Sequence, residues 1–69
     1  MDHPQAYYKF LSKEYFNSGD ATKCVAYYDE GLKAGLCEQD AYDYALLRFY
    51  GLTPTRAYSA ILNSILRQV

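Results

Sequence analysis

"FYGLTPTRAYSAIL", Phe49 to Leu62, places a glycine where one helix can close, a Thr53-Pro54 pair where the next can open, and Arg56 early in that second helix. Glycine tolerates the left-handed backbone that ends many helices. A threonine hydroxyl accepts from the free amides of a first helical turn, and proline at the first helical position gives up only an N–H that the helix leaves unpaired. The same signals in the same order open the recognition helix of a DNA-reading helix-turn-helix or join two helices that simply pack.

The residues around the turn favour packing. A helix-turn-helix wants a small residue four positions before the turn glycine, where Leu47 stands, and branched apolar residues where Ala57 and Ala60 stand. The polar side of the second helix offers Arg56, Ser59, Asn63 and Arg67, so few phosphates are neutralised, and that neutralisation supplies most non-specific DNA affinity. The stretch reads as a helical hairpin with Gly51 and Thr53-Pro54 as caps, and direct nucleic acid binding is not expected. A small helix-turn-helix regulator is the alternative.

Outward from this turn the same punctuation repeats. Asp2 or His3 caps a first helix with Pro4 at its first position, running to about Asn17 before Gly19. Asp20 caps a second, Ala21 to about Ala34, with Lys33 in its last turn and Gly35 beyond. Glu38 to Tyr50 forms a third, and Thr53 caps a fourth from Pro54 to about Arg67. The expected fold is all-α: a single domain over residues 1–69, a small bundle of about four short antiparallel helices arranged as two αα-hairpins.

At 100° per residue each helix has an apolar stripe. The stripes are Tyr7, Phe10, Leu11 and Tyr15 with part of Tyr8; Ala21, Cys24, Val25, Tyr28 and Leu32; Ala41, Tyr42, Ala45, Leu46, Phe49 and Tyr50; and Ala57, Tyr58, Ile61, Leu62, Ile65, Leu66 and Val69. Phe16, Tyr27, Tyr44, Leu47 and Arg48 fall outside them. Aromatic and arginine side chains outside a core are the types that anchor interfaces. Tyr8, Phe16, Tyr27, Tyr44, Leu47, Arg48, Arg56 and Arg67 are therefore the candidate partner or dimer contacts.

Composition points the same way. Nine tyrosines and three phenylalanines, without tryptophan, in 69 residues make more aromatic area than one small core covers, and a tyrosine suits a surface that is wet when free and apolar when docked. A chain this short gains from self-association, so a homodimer is expected. Residues 1–43 hold all eight acids and four lysines, for a charge of −4, whereas residues 44–69 hold Arg48, Arg56 and Arg67 and no acid, for +3. Such asymmetry suits either an anionic partner for the second half or attraction between the halves, and the second is preferred. No apolar run approaches the roughly 18 residues of a membrane span, and the N-terminal "MDHPQAYYKF" lacks signal-peptide blocks. The expectation is a cytoplasmic protein without membrane partners.

Chemistry has little to work with. The single histidine, His3, stands near a terminus, and Cys24 and Cys37 form no C-x-x-C pair and have no histidine nearby in sequence. Both thiols are expected reduced, Cys24 in the core and Cys37 in a turn. Asp2 with His3 makes a poor metal pair, and Asp40 with Asp43 reads as a solvated face near a helix N-terminus. No enzyme activity, metal or cofactor is expected.

The rhythm of "YYKFLSKEYFNSGDATKCVAYYDEGL" resembles a tetratricopeptide-type helical hairpin, through Tyr8, Leu11, Ser12, Tyr15, the Gly19-Asp20 turn, Cys24, Tyr28, Gly31 and Leu32. Leu36 stands where that repeat has proline, so the likeness implies an antiparallel hairpin with small residues at close approaches rather than a repeat array. The chain as a whole, by its length, tyrosine-rich helices and lack of catalytic residues, resembles the small phage-encoded anti-quorum-sensing proteins that act as anti-activators of LuxR-type transcription factors. That resemblance implies a helical homodimer that binds a host activator in the host cytoplasm and blocks its DNA binding. It further implies inhibition of a type IV pilus assembly ATPase as a second activity.

Overall fold

The computed structural model describes residues 3–13 and 16–67, which form four helices: α1 (Gln5–Leu11), α2 (Ser18–Lys33), α3 (Glu38–Phe49) and α4 (Pro54–Arg67). No strand occurs among the described residues, and the all-α expectation holds. The helices stack in chain order into an elongated body of 38 × 20 × 18 Å, α4 lying against α3.

Sequence signals account for most boundaries. At the end of α2, Gly35 takes φ +100°, Gly35 N–H donates to Leu32 O at 3.0 Å and Leu36 N–H donates to Gly31 O at 3.1 Å. At the end of α3 the pattern recurs sixteen residues later: Gly51 takes φ +106°, Gly51 N–H donates to Arg48 O at 3.0 Å and Leu52 N–H to Leu47 O at 3.1 Å. Both are Schellman motifs. The α4 cap is as expected, with Arg56 N–H donating to Thr53 Oγ1 at 3.3 Å.

The first half departs from the expected boundaries. Helix α1 ends at Leu11, not near Asn17, and Pro4 is its cap rather than its first residue; Asp2 lies outside the described residues. At the C-terminus Ser12 Oγ donates to Lys9 O at 2.7 Å, a local bond that competes with further helix. Helix α2 starts at Ser18, earlier than expected. Its cap is Asn17, whose Oδ1 accepts from Asp20 N–H at 2.8 Å while Asp20 Oδ2 accepts from Asn17 N–H at 3.4 Å. Asp20 is thus the other half of a capping box.

Two apolar clusters meet at α3. The first joins Ala6, Tyr7, Phe10, Phe16, Ala21, Cys24 and Ala45, with Phe10 against Tyr42 at 5.2 Å between ring centroids and Phe16 edge-on to Phe49 at 4.9 Å. The second joins Leu36, Ala41, Tyr44, Ala57 and Ile61. Gly31 is the closest approach of α2 to α3: a Cβ there would stand 3.1 Å from Tyr44 Cδ1 and 3.3 Å from Ala41 Cα. The hairpin rhythm implied a close approach of the first two helices at Cys24 and Gly31; Gly31 instead faces α3, and Cys24 is buried in the cluster that joins α1, α2 and α3.

Two residues assigned outside the core are inside it. Phe16 is buried because α1 stops early, so the helical angle used to place it does not apply. Tyr44 is 2% exposed because α3 is covered on two sides, by α1 and α2 on one and by α4 on the other, so its supposed polar side faces a neighbour. Neither is a surface anchor. Conversely Leu11, Leu32, Tyr50, Leu62, Ile65 and Leu66, read as core, are exposed. Tyr15 and Val69 lie outside the described residues.

Candidate functional site

Helix α4 is the most amphipathic of the three longer helices. From Ala57 through Ile61, Ile65, Tyr58 and Leu62 to Leu66 its apolar side chains sweep about 180° of azimuth at 100° per residue. One neighbouring helix covers only part of such an arc. Ala57 and Ile61 are buried against α3, whereas Ile65 and Leu62 are over a third exposed and Leu66 is 70% exposed. The result is an uncovered strip, Thr55, Leu62, Ile65 and Leu66, edged by Tyr58, which is half-buried against the second cluster. Nothing in it is charged. Beside its N-terminal half runs a shallow groove of about 400 Å³ lined by Glu30, Ala34, Tyr44, Pro54, Thr55 and Tyr58.

The other candidates are dispersed. Tyr8 is exposed on α1, edge-on to Tyr7 at 5.3 Å. Leu47 is half-buried in the second cluster. Arg48 is an internal tie: its Nε donates to Glu30 Oε2 at 2.9 Å, its Nη1 donates to Leu52 O at 2.9 Å, and its guanidinium lies 4.6 Å over the Tyr27 ring. Tyr44 Oη donates to the same Glu30 oxygen. Arg56 and Arg67 are exposed and join no ion pair among the described residues. The preferred attraction between the acidic and basic halves is therefore visible at Arg48–Glu30 and not at the other two arginines.

The Glu30, Tyr44 and Arg48 groups hold one another in fixed charge states. The hydrogen bond from Tyr44 holds the Glu30 carboxyl below its ordinary value, with Arg48 adding to the effect and partial burial opposing it. Burial, and then the bond to Glu30, pushes the Tyr44 phenol up to about 12, so it stays a donor at neutral pH. Glu30 also raises Arg48 above its already high value. This trio fixes α2, α3 and the turn before α4 to one another, and so aims the uncovered strip.

Around the trio the chemistry is structural. Cys24 is buried, and burial followed by the charge of Asp20 pushes its thiol up to about 11. Cys37 stands at the N-cap position of α3 without a side-chain capping bond, its Sγ donating instead to the Asp40 carboxylate Oδ2 at 3.2 Å, and His3 stacks on Tyr7 at 3.8 Å. Among the described residues no three His, Cys, Asp or Glu side chains gather where a metal would sit, and no helix is long and apolar enough to cross a membrane.

Sequence reasoning placed Leu62, Ile65 and Leu66 in the core. The signal that distinguishes the strip is the width of the stripe on a final helix that has one neighbour. Compared with protein-family models, with characterised proteins and with solved structures, the chain matches none.

Proposed function

We propose that this chain is a non-enzymatic inhibitor that works by docking to other proteins as a homodimer. Its proposed target is a host transcriptional activator of the LuxR type, which it keeps from its DNA, with a type IV pilus assembly ATPase as a second target. The observation that carries the docking reading is the uncovered strip on α4, because a folded domain this small has reason to leave leucine and isoleucine in water where another surface will cover them. The named targets rest on the resemblance of the whole chain to phage anti-activators.

The test is a gel-shift titration with a purified LuxR-type activator on its operator. Adding the protein should release the activator from the duplex, and the protein alone should leave duplex unshifted at physiological salt. An activator that keeps its DNA at a tenfold excess of the protein removes the target assignment. A shift by the protein alone, lost in Arg56→Glu, installs the helix-turn-helix regulator instead, since Arg56, Ser59, Asn63 and Arg67 are all exposed on α4.

A further inference from the structure

Residues 44–69 carry Arg48, Arg56 and Arg67 and no acid. Within the fold Arg48 finds the carboxylate of Glu30, while Arg56 and Arg67 are exposed and join no ion pair among the described residues. These two are the ionic side chains of α4, and their place on it is orderly. Arg56 follows Thr55 and Arg67 follows Leu66, so each stands about 100° beyond a residue of the strip, in the same sense and on the same edge. They are eleven residues apart, about 17 Å at 1.5 Å per residue. The opposite edge leads through Tyr58 and Ile65 round to Ile61 and the contact with α3.

We infer that the strip is the docking face for an acidic amphipathic helix of a partner protein. The partner's apolar stripe covers Leu62, Ile65 and Leu66, and carboxylates along one of its flanks meet Arg56 and Arg67. The inference rests on the reading that the chain docks to protein and names the chemistry of the surface it takes; the dimer of that reading then forms through another face.

Charge complementarity selects this occupant. Helix α3 fills the inner side of α4, so a helix laid on the strip is held toward the outer edge, where the two arginines stand. Guanidinium groups meet carboxylates in two-pronged hydrogen bonds, and acids about three helical turns apart match the spacing of Arg56 and Arg67. Glu30, beside the N-terminal half of the strip, is already bonded by Tyr44 and Arg48, so it leaves no free carboxylate to repel the newcomer.

The other occupants of an apolar helix face match these charges less well. A second copy of α4 set antiparallel brings its own Arg56 and Arg67 to the same edge, like charge beside like, and one set parallel aligns two macrodipoles. An anionic bilayer is a plane wider than the molecule, and it also faces residues 1–43, whose eight acids and four lysines give −4. A single helix meets only the rim of α4.

Fluorescence anisotropy with two synthetic peptides tests this on the whole chain. Each peptide is an amphipathic helix of about 18 residues, long enough for appreciable helix in water. Each has one leucine stripe and two flanking side chains spaced as Arg56 and Arg67 are, glutamate in the first peptide and glutamine in the second. The glutamate peptide should bind about fivefold more tightly, as two exposed ion pairs allow, and should lose that margin as salt rises from about 0.05 to 0.5 M. Arg56→Gln combined with Arg67→Gln, both at exposed sites, should keep its helical circular dichroism and bind the two peptides equally. Leu66→Gln, at a site 70% exposed, should weaken both peptides about tenfold.

Equal binding of the two peptides by the parent, no binding of either up to about 1 mM, or an unchanged preference in the double arginine variant overturns the inference. So does firmer retention on phosphatidylglycerol vesicles than on the glutamate peptide, which assigns the strip to a bilayer. A parent dimer that Leu66→Gln dissociates in sedimentation equilibrium assigns it to a second copy and overturns the inference equally. Neither peptide carries activator sequence, so failure here with the activator still released from its DNA removes the acidic helix alone and leaves the docking reading in place.

Discussion

The α2–α3 and α3–α4 hairpins use the same turn and reach different ends. Each closes on a glycine with positive φ followed by leucine, each makes the same pair of Schellman hydrogen bonds, and each enters the next helix within three residues. Yet α2 and α3 interlock, with Gly31 against Ala41 and Cys24 and Ala45 fully buried, whereas α4 meets α3 through Ala57 and Ile61 and leaves its longer side chains in water. Turn chemistry sets the direction of the chain. Whether the apolar stripe that follows is covered depends on how many helices stand beside it: α3 has neighbours on two sides and α4 lies at the end.

The largest expected effect contrasts the two clusters directly. Phe10→Ala, at a fully buried site, should cost about 3–5 kcal/mol, and Ile61→Ala about 2 kcal/mol, because its cavity adjoins a face that can relax. Leu66→Ala should stay within about 0.5 kcal/mol. Urea unfolding at sub-micromolar concentration measures all three, and a Leu66→Ala loss equal to that of Ile61→Ala breaks the distinction between the packed and open sides of α4.

Next in size is the tie that aims α4. Glu30→Ala leaves the Tyr44 hydroxyl and the Arg48 guanidinium, both partly or wholly buried, without their shared acceptor and should cost about 1–3 kcal/mol. Tyr44→Phe removes only one donor, so about 1 kcal/mol is expected. If the tie orients the strip, Glu30→Ala should also raise amide hydrogen exchange in α4 more than in α1.

The shared turn predicts shared losses. Gly35→Ala and Gly51→Ala each force a Cβ into the left-handed region with open space around it, and each should lose about 1 kcal/mol in thermal or urea unfolding. A markedly larger loss at one of them would show that the two turns are equivalent in geometry alone. Gly31→Ala gains helix propensity but presses on the Ala41 backbone, and a net loss of about 1 kcal/mol is expected.

The smallest effect is in pH. The folded-state value of Glu30 is lowered, so the ion pair with Arg48 contributes fully above the ordinary glutamate range and is lost as pH falls through the lowered value. Because the Glu30 side chain is 41% exposed, the acid-side loss should be below about 1 kcal/mol. Melting followed from neutral pH down to about 3 should show that component in the parent and not in Glu30→Gln.

These contrasts also show what was legible in the chain. The two turn glycines and the Thr53-Pro54 start act locally, and the four helices followed from them, whereas the small residues at Cys24 and Gly31 were read as the approach of the first two helices and Gly31 faces α3 instead. Burial on α3 did not follow either, because a single-stripe reading gives a helix one buried side and leaves Tyr44 and Leu47 on the wrong one. Phe16 was lost with the end of α1, where the Ser12 side chain and the Asn17–Asp20 capping box outweighed a continuing apolar rhythm. Of the candidate site, Arg56 and Arg67 were placed in solvent correctly, while Leu62, Ile65 and Leu66 were hidden by the same amphipathic pattern that identified their helix. Periodicity reports which face is apolar and is silent on what stands opposite.

The two thiols give the molecule a built-in clock. Cys37 is exposed at the start of α3, whereas Cys24 is fully buried among α1, α2 and α3 with its thiol pushed up to about 11. A thiol reagent near neutral pH will consume Cys37 at once and reach Cys24 only when the first cluster opens. The second, slow phase of labelling therefore times the opening of that cluster in the unmodified sequence, with no probe added to the strip on α4.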